Sequence, residues 1–402
     1  MKRRSPAVCL AFSGGLDTTY CALRLREEGF RVTAVTVDTG GFSPTQKRGI
    51  ASRARAAGVA RFALLDGRRD VFERFALPLI FGNVLRGGVY PLSVAAERAV
   101  QAQRVADFAR RIGAAVIAHG STAAGNDQFR FDAALRVLAP EIEVRAPVRD
   151  EGVTRARETA VLQAAGLRIP RSLTRYSVNE GLWGTTIGGG ETHDAWRLPP
   201  EALFPGRTLR DAPRTPRSVT VGFARGRPVS IDGKRRDPLR LVEALNALGR
   251  RYAAGRGVHI GDTILGAKGR IVFEAPAALA LIAAHAELEK LVLTKEQRQL
   301  KALVSETYGR LLHEGLAFDP AAADAEGFLR ASQERVTGEA RVRFAAGAFR
   351  VEGVRSAHSL LSPEIVKYGE SNAYLTPAEA RGVGKTLALP GLLAALAAGR
   401  QP

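Results

Sequence analysis

The sequence predicts an α/β protein with a doubly wound, mostly parallel sheet at the N-terminus, an α+β second domain and a C-terminal helical tail. Two observations predict this architecture. In the N-terminal third, short β-rich runs alternate with helical patterns, and farther along two hairpin patterns are separated by long helical stretches. We place the domain boundaries at residues 1–168, 169–355 and 356–402.

The N-terminal part contains five candidate strands and two well-marked helices. The first helix, Thr18–Glu28, ends at Gly29, and the second begins at Ser43-Pro44, an N-cap residue followed by proline at the first helical position. Strands separated by helices predict a parallel sheet, in which ligands bind beyond the carboxyl ends of the strands. The candidate strands are Val8–Phe12, Val32–Val37, Phe62–Leu65, Ala115–Ala118 and Ile142–Val144.

The second half of the chain has a different pattern. Glycines and prolines between Pro170 and Pro216 indicate long ordered loops or a domain connection. Alternating apolar residues then predict two hairpins, one turning at Gly226 and one at Gly347, with long helices between them and a helix in the tail. The predicted helices are Pro276–Glu289, Lys295–Leu312 and Leu392–Ala398.

The composition is typical of a soluble globular protein, with 46% hydrophobic and 25% charged residues in 402. No apolar run approaches the ~20 residues that span a bilayer, and the apolar stretch near the N-terminus is too short for a signal peptide, so we expect a cytoplasmic protein. Cys9 and Cys21 form neither a CxxC pair nor a metal-ligand cluster. We therefore expect two core cysteines, no metal site and no sulfur-transfer chemistry.

The formal net charge of +19 has two interpretations. A basic excess can mark a nucleic-acid-binding protein, but it also suits an arginine-rich chain with an anionic small-molecule ligand. The arginines are scattered along the whole chain, and aromatic residues that could stack on bases make up 6% of it. The distribution favours the second interpretation, and we expect small-molecule substrates with neither a nucleic-acid nor a membrane partner.

The stretch AFSGGLDTTY, from Ala11 to Tyr20, follows the first candidate strand and opens the first helix. Glycines let the backbone approach an anion closely, and free N–H groups at the helix start point at it. No lysine follows the glycines, and the spacing is not GxGxxG, so neither a Walker loop nor a dinucleotide fingerprint is present. Ser-Gly-Gly-x-Asp-Thr resembles the signature of the PP-loop ATP pyrophosphatases, which split ATP between its α and β phosphates.

A second glycine motif lies near the other end of the chain. Gly382-Val383-Gly384-Lys385-Thr386 matches half of a Walker loop, but Glu379 stands where the first glycine is required, and no strand precedes it. We interpret it as an exposed turn.

The segment His119–Asp132 follows another candidate strand and places an amide, a carboxylate and a guanidinium within five residues. Asn126 and Asp127 can hold an amide or ammonium group, and Arg130 can bind a carboxylate through two N–H donors. The alternative is that Asn126 and Asp127 only cap a helix and Arg130 is solvated. This segment and the stretch Ala11–Tyr20 each follow a candidate strand of the same sheet, which favours one ligand site shared by the two.

Several motifs in order resemble the argininosuccinate synthase family along nearly the whole chain. They are AFSGGLDTT, YPLS, HGST..GNDQ.RFD, YSVNEGLWG, GGGETHDAW, GAKGRIVFEAP and HEGLAFDP. The resemblance implies that citrulline is ligated to aspartate in arginine biosynthesis while ATP is converted to AMP and pyrophosphate. It also implies a nucleotide-binding domain, a synthetase domain and a tail that contributes to a homotetramer. ATP would enter as its Mg²⁺ complex, and no tightly bound cofactor is expected.

The resemblance assigns roles to individual residues. Catalysis is assigned to Asp17, Asn126, Asp127 and Arg130. ATP binding is assigned to Ala11, Phe12, Ser13, Gly14, Gly15, Leu16, Asp17, Thr18, Thr19, Val37 and Gly120. Aspartate binding is assigned to Thr122, Asn126 and Asp127, and citrulline binding to Tyr90, Asn126, Arg130, Ser177, Thr186 and, as a rough substitute, Asp262.

The chain departs from the family pattern on the citrulline side. Before Gly266, a segment whose glutamate contacts the amino-acid end of citrulline is replaced, leaving Asp262 as the nearest carboxylate, and Phe273 replaces a tyrosine. Both changes suit a substrate whose α-nitrogen is acylated and carries no charge. We therefore keep open an N-acylated citrulline, another ureido or carboxylate substrate, and a PP-loop tRNA-modifying enzyme.

Overall fold

The computed structural model describes residues 5–167 and 176–399. The chain forms two compact units, one that ends at Ala357 and one that begins at His358. Within the described ranges, no helix is both long enough and apolar enough to cross a bilayer.

A five-stranded parallel sheet forms the N-terminal part of the first unit, in the order β3–β2–β1–β4–β5. Its strands are β1 (Ala7–Ala11), β2 (Arg31–Asp38), β3 (Arg61–Asp66), β4 (Val116–Ala118) and β5 (Glu143–Arg145). β1 lies at the centre of the sheet, with β2 paired to one edge of it and β4 paired to the other. The strand order therefore reverses between β1 and β4. The predicted parallel sheet is confirmed, with each strand within two residues of its expected bounds.

Helices cover this sheet. They are α1 (Leu16–Glu27), α2 (Pro44–Ala56), α3 (Ser93–Arg111), α4 (Asp127–Leu138) and α5 (Arg155–Ala164). Ser43 caps α2 by accepting the Gln46 N–H, while the Gln46 side chain accepts the Ser43 N–H, a reciprocal capping box. Cys9 and Cys21 are fully buried in the core, as the sequence predicts.

A continuous helical segment joins the parallel sheet to the rest of the unit. It consists of Arg68–Asp70, the π-helical turn Val71–Ala76 and Leu77–Phe81. Its apolar side chains, among them Phe72 and Leu79, are buried in the main core.

Two antiparallel sheets complete the first unit. A four-stranded sheet has the order β11–β12–β7–β6, and a five-stranded sheet has the order β10–β9–β8–β13–β14. The strands of the first are β6 (Tyr176–Gly181), β7 (Gly184–Gly189), β11 (Arg256–Asp262) and β12 (Lys268–Glu274). Those of the second are β8 (Arg217–Ala224), β9 (Arg227–Ile231), β10 (Lys234–Arg235), β13 (Gly338–Ala345) and β14 (Ala348–Arg355). The helices are α6 (Pro238–Arg251), α7 (Pro276–Val292), α8 (Lys295–Glu314) and α9 (Pro320–Ala331).

The region from Pro170 to Pro216 is more regular than the sequence indicates. Its first residues lie outside the described part, but β6 and β7 form a hairpin within it. The turn buries Trp183 completely, and the indole N–H donates to the Pro91 carbonyl oxygen at 3.0 Å. The interpretation as long ordered loops or a domain connection was wrong for residues 176–189, because glycine-rich strands show no alternation of apolar residues. The two predicted hairpins, β8–β9 and β13–β14, are confirmed.

The second unit contains a short hairpin, β15 (Val366–Lys367) and β16 (Ser371–Asn372), and the long helix α10 (Pro377–Ala397). The interpretation of Gly382–Thr386 as a turn was wrong, because these residues lie inside α10. Thr376 and Glu379 form a capping box and Pro377 takes the first helical position, which starts the helix earlier than the expected Leu392.

The parallel sheet and the four-stranded sheet meet at the end of β2. The Leu182 N–H donates to the Thr39 carbonyl oxygen at 2.8 Å, and Gly40 forms a β-bridge with Gly181. Gly41 lies so close to this hairpin that a Cβ would overlap the carbonyl oxygen of Glu180. Glycine is therefore required here, and the contact fixes β6 and β7 beside the carboxyl edge of the parallel sheet.

Glu97, on α3, lies directly beneath this junction. Its carboxylate occupies the space that a side chain at Gly181 would need. The residue is 2% exposed, and one carboxylate oxygen has no hydrogen-bond partner in the described residues. Burial raises the pKa of Glu97 from 4.5 to about 8, against the lowering effects of Arg98 and of a hydrogen bond from Thr39.

The junction predicts the effect of one added methyl group. Gly41→Ala should lower the free energy of unfolding by about 2–3 kcal/mol, because the new Cβ must displace backbone. The control is Gly188→Ala on β7, where a Cβ meets nothing within 4 Å and the change should stay within about 0.5 kcal/mol. Urea denaturation of both variants provides the measurement. Equal stability of the two variants would contradict this view of the junction.

The raised pKa of Glu97 predicts a pH-dependent stability. The native state keeps the proton up to about pH 8, whereas an unfolded glutamate loses it near 4.5, so this stabilisation is complete below 4.5 and is lost as the pH rises through 8. Between pH 5 and 8.5, the free energy of unfolding should therefore fall less in Glu97→Gln than in the wild type. The difference between the two decreases should be on the order of 2 kcal/mol. Urea denaturation curves at these pH values measure it, and parallel curves for the two proteins would refute the buried acid.

Candidate active site

The loop between β1 and α1 is shaped to receive an anion. Gly14 adopts a φ of +72°, which favours glycine, and Gly15 precedes α1 without a side-chain cap from the described residues. The first N–H groups of α1 therefore remain available, in the positive field of the helix N-terminus. The hydroxyl oxygens of Ser13 and Thr18 lie 3.2 Å apart beside this turn, and the Thr19 hydroxyl donates to the Gly15 carbonyl oxygen at 2.6 Å.

The loop between β4 and α4 lies against the first loop. Gly120 packs on Thr18 and Asp17 so closely that a Cβ at Gly120 would lie 3.0 Å from the Thr18 backbone nitrogen. The buried His119 places its Nε2 2.9 Å from Asp132 Oδ1, which holds the start of this loop. The two loops thus form one surface at the carboxyl ends of β1 and β4, where the strand order reverses and ligands bind in such sheets.

The residues assigned to ATP by resemblance fall on this surface. Ala11–Thr19 and Gly120 form its two loops, and Val37 lies buried near the carboxyl end of the neighbouring β2, in contact with Gly67. Asp38, the last residue of β2, is paired with Lys47 of α2.

A second acid lies beneath the first loop, next to Asp17. Glu158 on α5 is 1% exposed, and neither of its carboxylate oxygens has a hydrogen-bond partner among the described residues. Burial and the neighbouring Asp17 charge raise the pKa of Glu158 to about 8. Glu158 is thus largely protonated at neutral pH, which allows the two acids to lie together. In the described ranges, no group of three or more His, Cys, Asp or Glu side chains could hold a metal ion.

Asp127 is the charged centre of the second loop. Its Oδ2 accepts from Arg98 Nε at 2.8 Å, and its Oδ1 accepts from Arg130 Nη1 at 3.2 Å. Burial raises the pKa of the Asp127 carboxyl, but the two guanidinium groups outweigh this effect and hold it below its ordinary value. Arg98 Nη2 also donates to Asn179 Oδ1 at 2.6 Å. One carboxylate therefore joins α3, α4 and β6.

Asn126 and the loop before it are held by backbone contacts. The Asn126 Oδ1 accepts the N–H of Ile264, in the turn between β11 and β12, at 3.0 Å. Gln128 Nε2 donates to the Ala123 carbonyl oxygen at 2.7 Å and so constrains the loop that carries Thr122. Thr122 and Asn126 are both half-buried and lie on the same loop as Asp127.

One face of the four-stranded sheet contributes the next group of residues. In the antiparallel register Thr186 lies opposite Asn179 on one side and Phe273 on the other, so the three side chains share a face. Ser177 precedes Asn179 by two residues and lies on the same face. Because Asn179 accepts a hydrogen bond from Arg98, this face is turned toward the Asp127 network.

Tyr90 packs on the same face. Its ring centroid lies 5.4 Å from that of Phe273 and 5.9 Å from that of His259, with the histidine ring stacked. Its hydroxyl is 3.3 Å from Ser93 Oγ and accepts the Val94 N–H at 3.1 Å. Tyr90, Ser177 and Thr186, all assigned to citrulline, are therefore brought together by the fold.

Asp262 lies on the opposite face of this sheet. It follows His259 by three residues on β11, and an odd separation along a strand reverses the direction of the side chain. The Asp262 carboxylate is 54% exposed and lies 2.5 Å from Lys268 Nζ. Arg86 Nη2 donates to the backbone carbonyl oxygen of Asp262 at 2.9 Å. The Asp262 side chain thus points away from the face that carries Tyr90, Ser177 and Thr186, although its backbone lies beside Arg86.

Arg130 is held in one orientation by the end of α8. Its Nε donates to the His313 carbonyl oxygen at 3.0 Å, and its Nη2 lies 3.2 Å from His313 Nδ1. Burial, together with the charges of Arg130 and Arg86, lowers the pKa of His313 to about 3. The imidazole is therefore neutral and can accept a hydrogen bond from the guanidinium, which directs the remaining face of Arg130 to Asp127.

Sequence reasoning missed Arg98 and His313, which position Asp127 and Arg130. The site partners of Arg98, Asp127 and Asn179, are 29 and 81 residues away, and His313 lies 183 residues from Arg130. No local spacing signals such pairs.

Two family models match the chain. The arginosuccinate synthase N-terminal HUP domain matches residues 7–168, and the arginosuccinate synthase C-terminal domain matches residues 176–394.

Curated proteins are similar over almost the full length. The argininosuccinate synthase of Methanocaldococcus jannaschii is 36% identical over 364 residues, 90% of this chain and 91% of its own. That of Xanthomonas axonopodis pv. citri is 38% identical, covering 90% and 89% of the two chains, and that of Dehalococcoides mccartyi is 36% identical, covering 99% and 97%. With both domain models matched in order along one chain, this protein belongs to the argininosuccinate synthase family.

Proposed function

We propose that this protein is an ATP-dependent carbon–nitrogen ligase that joins citrulline and L-aspartate to form argininosuccinate, with release of AMP and pyrophosphate. The observation that carries the proposal is the meeting of two loops at the strand-order reversal. One loop offers uncapped helix N–H groups around Gly14 and Gly15, and the other carries Asn126 and Asp127, with Gly120 packed against Thr18. A nucleotide phosphate and an amino-acid substrate can thus lie side by side.

The first chemical step follows from this placement. The ureido oxygen of citrulline attacks the α-phosphorus of ATP, the bond from that phosphorus to the bridging oxygen breaks, and pyrophosphate leaves with the electron pair. The N–H groups at the start of α1 stabilise the charge that develops on the phosphates. ATP enters as its magnesium complex, and the metal is part of that substrate. Ser177 and Thr186 supply hydroxyl groups on the face where citrulline is proposed to bind.

The second step joins the two amino acids. The amine of aspartate attacks the carbon of the adenylated isourea, the carbon–oxygen bond breaks, and AMP leaves with the ureido oxygen while the amine loses a proton. Thr122, Asn126 and Asp127 are proposed to bind aspartate and keep its amine beside this carbon. Since Asp127 stays ionised, with its pKa held low by two arginines, it can accept a hydrogen bond from the ammonium group.

A second candidate substrate, an N-acylated citrulline, is favoured by the position of Asp262. A free α-ammonium group requires a carboxylate nearby, but Asp262 lies on the opposite sheet face and is paired with Lys268. The residues on the near face and beside it are His259, Phe273 and Arg86, which offer no negative charge. An uncharged amide nitrogen of the substrate would lie beside these three residues without leaving a substrate charge unpaired.

We also propose a homotetramer in the cytoplasm as the working form. Its support is α10, on which no residue is buried within the described structure. Apolar side chains along it, including Leu387, Leu389 and Leu393, are at least half exposed, a pattern typical of a helix that contacts another subunit.

Pyrophosphate release tests the proposed reaction. With ATP, Mg²⁺ and aspartate, we expect release to depend on added citrulline or on its N-acetyl or N-succinyl form, each offered separately. A turnover number more than about tenfold higher for an acylated form than for free citrulline would show that the enzyme prefers a substrate whose α-nitrogen is uncharged. Preference for free citrulline would reject the second candidate, and no release with any of the three would reject the proposed function.

A further inference from the structure

Arg53 on α2 reaches the glycine loop between β1 and α1. Its guanidinium lies against Gly14, where a Cβ would be 3.1 Å from Nε and 3.2 Å from Nη2. The side chain also passes beside Gly49, one turn earlier on the same helix, where a Cβ would be 3.5 Å from Nη1. The long side chain thus lies along α2 and ends at the loop.

No carboxylate among the described residues balances the positive charge of Arg53. The Nε atom is buried without a hydrogen-bond partner, and no carboxylate of residues 5–167 or 176–399 lies within ion-pair distance of the side chain. Lys47, two turns earlier on α2, shows the contrast, because it is paired with Asp38. Burial alone lowers the pKa of Arg53, and no neighbouring acid opposes it.

A half-buried guanidinium without an anion costs stability unless a ligand supplies the charge. The nearest place for such a ligand is the loop itself, where the N–H groups of α1 already attract an anion. The β and γ phosphates carry most of the negative charge of ATP, whereas AMP carries a single phosphate. A planar guanidinium with parallel N–H donors matches two phosphate oxygens better than an ammonium group does.

We propose that Arg53 binds the β and γ phosphates of ATP and stabilises the departing pyrophosphate. This inference rests on the proposed function, because it assigns a residue to the same nucleotide site. Arg53 would then share the leaving-group charge with the N–H groups of the glycine loop, while Asp127 and its neighbours act on the other side of the α-phosphate. When the bond between the α-phosphorus and the bridging oxygen breaks, its electron pair stays on the pyrophosphate, which lies beside Arg53.

Direct nucleotide binding to the full chain tests this assignment without relying on ligation. By calorimetry in the presence of Mg²⁺, Arg53→Gln should weaken binding of ATP and of pyrophosphate at least about tenfold, while AMP stays within about twofold. Arg53→Lys should be intermediate, since it keeps the charge but loses the paired donors. Arg55→Gln, an exposed arginine two residues later on α2, is the matched control and should leave all three affinities unchanged.

The outcomes separate this inference from the proposed function. Wild-type ATP binding with no loss in Arg53→Gln, or an equal loss for ATP and AMP, would overturn the role of Arg53 alone. Failure of the wild type to bind ATP would overturn both. Because Arg53 has no hydrogen-bond or ion-pair partner in the described part of the chain, the thermal midpoint of the ligand-free variant should equal or exceed that of the wild type, and a large decrease would reveal a structural role instead.

Discussion

The carboxylate of Asp127 is the interaction on which the site depends. It bonds two guanidinium groups, one on α3 and one on α4, and each of these extends to a further element, β6 or the end of α8. Four elements that are distant in sequence are therefore held around one charge. Because the carboxylate is partly buried, removal of Asp127 would leave two guanidinium groups without their shared anion, and removal of either arginine would break the link from Asp127 to β6 or to the end of α8.

A second constraint comes from the topology of the parallel sheet. Reversal of the strand order between β1 and β4 leaves a crevice at their carboxyl ends, and Gly120 lets the two loops touch. The junction at Gly41 then brings the glycine-rich hairpin β6–β7 to the same edge. Thus the glycine loop, the loop with Asp127 and the face with Thr186 converge through backbone contacts that only glycine allows.

Burial of acids accompanies this close packing. Glu97 lies under the junction and Glu158 lies under the glycine loop, and burial raises the pKa of each to about 8. Protonated carboxyl groups can be accommodated beside Asp127 and Asp17 without adding negative charge where phosphates are proposed to bind. The guanidinium of Arg53, unpaired with any carboxylate of the described residues, would by contrast raise the affinity of the same loop for an anion.

Much of the architecture could be predicted from the sequence, because local signals and the fold agree. Buried strands such as β1 are continuous apolar runs, and the Ser43-Pro44 cap marks the start of α2. The hairpin β6–β7 could not be predicted, since its glycines remove the alternation that marks a strand. The sheet face on which the Asp262 side chain lies could not be predicted either. A shift of one residue along β11 places a side chain on the other face, and only the pairing register determines which face that is. The assignments of individual residues to ligands remain predictions.

The central chemical claim is that the ureido oxygen attacks the α-phosphorus of ATP before aspartate is joined. The most direct measurement uses citrulline, or whichever acylated form is turned over, labelled with ¹⁸O in its ureido group, with mass analysis of the products. The mechanism predicts one ¹⁸O atom in each AMP formed and none in the pyrophosphate, because the ureido oxygen leaves with AMP. Unlabelled AMP would contradict it and would require that the oxygen be lost by another path.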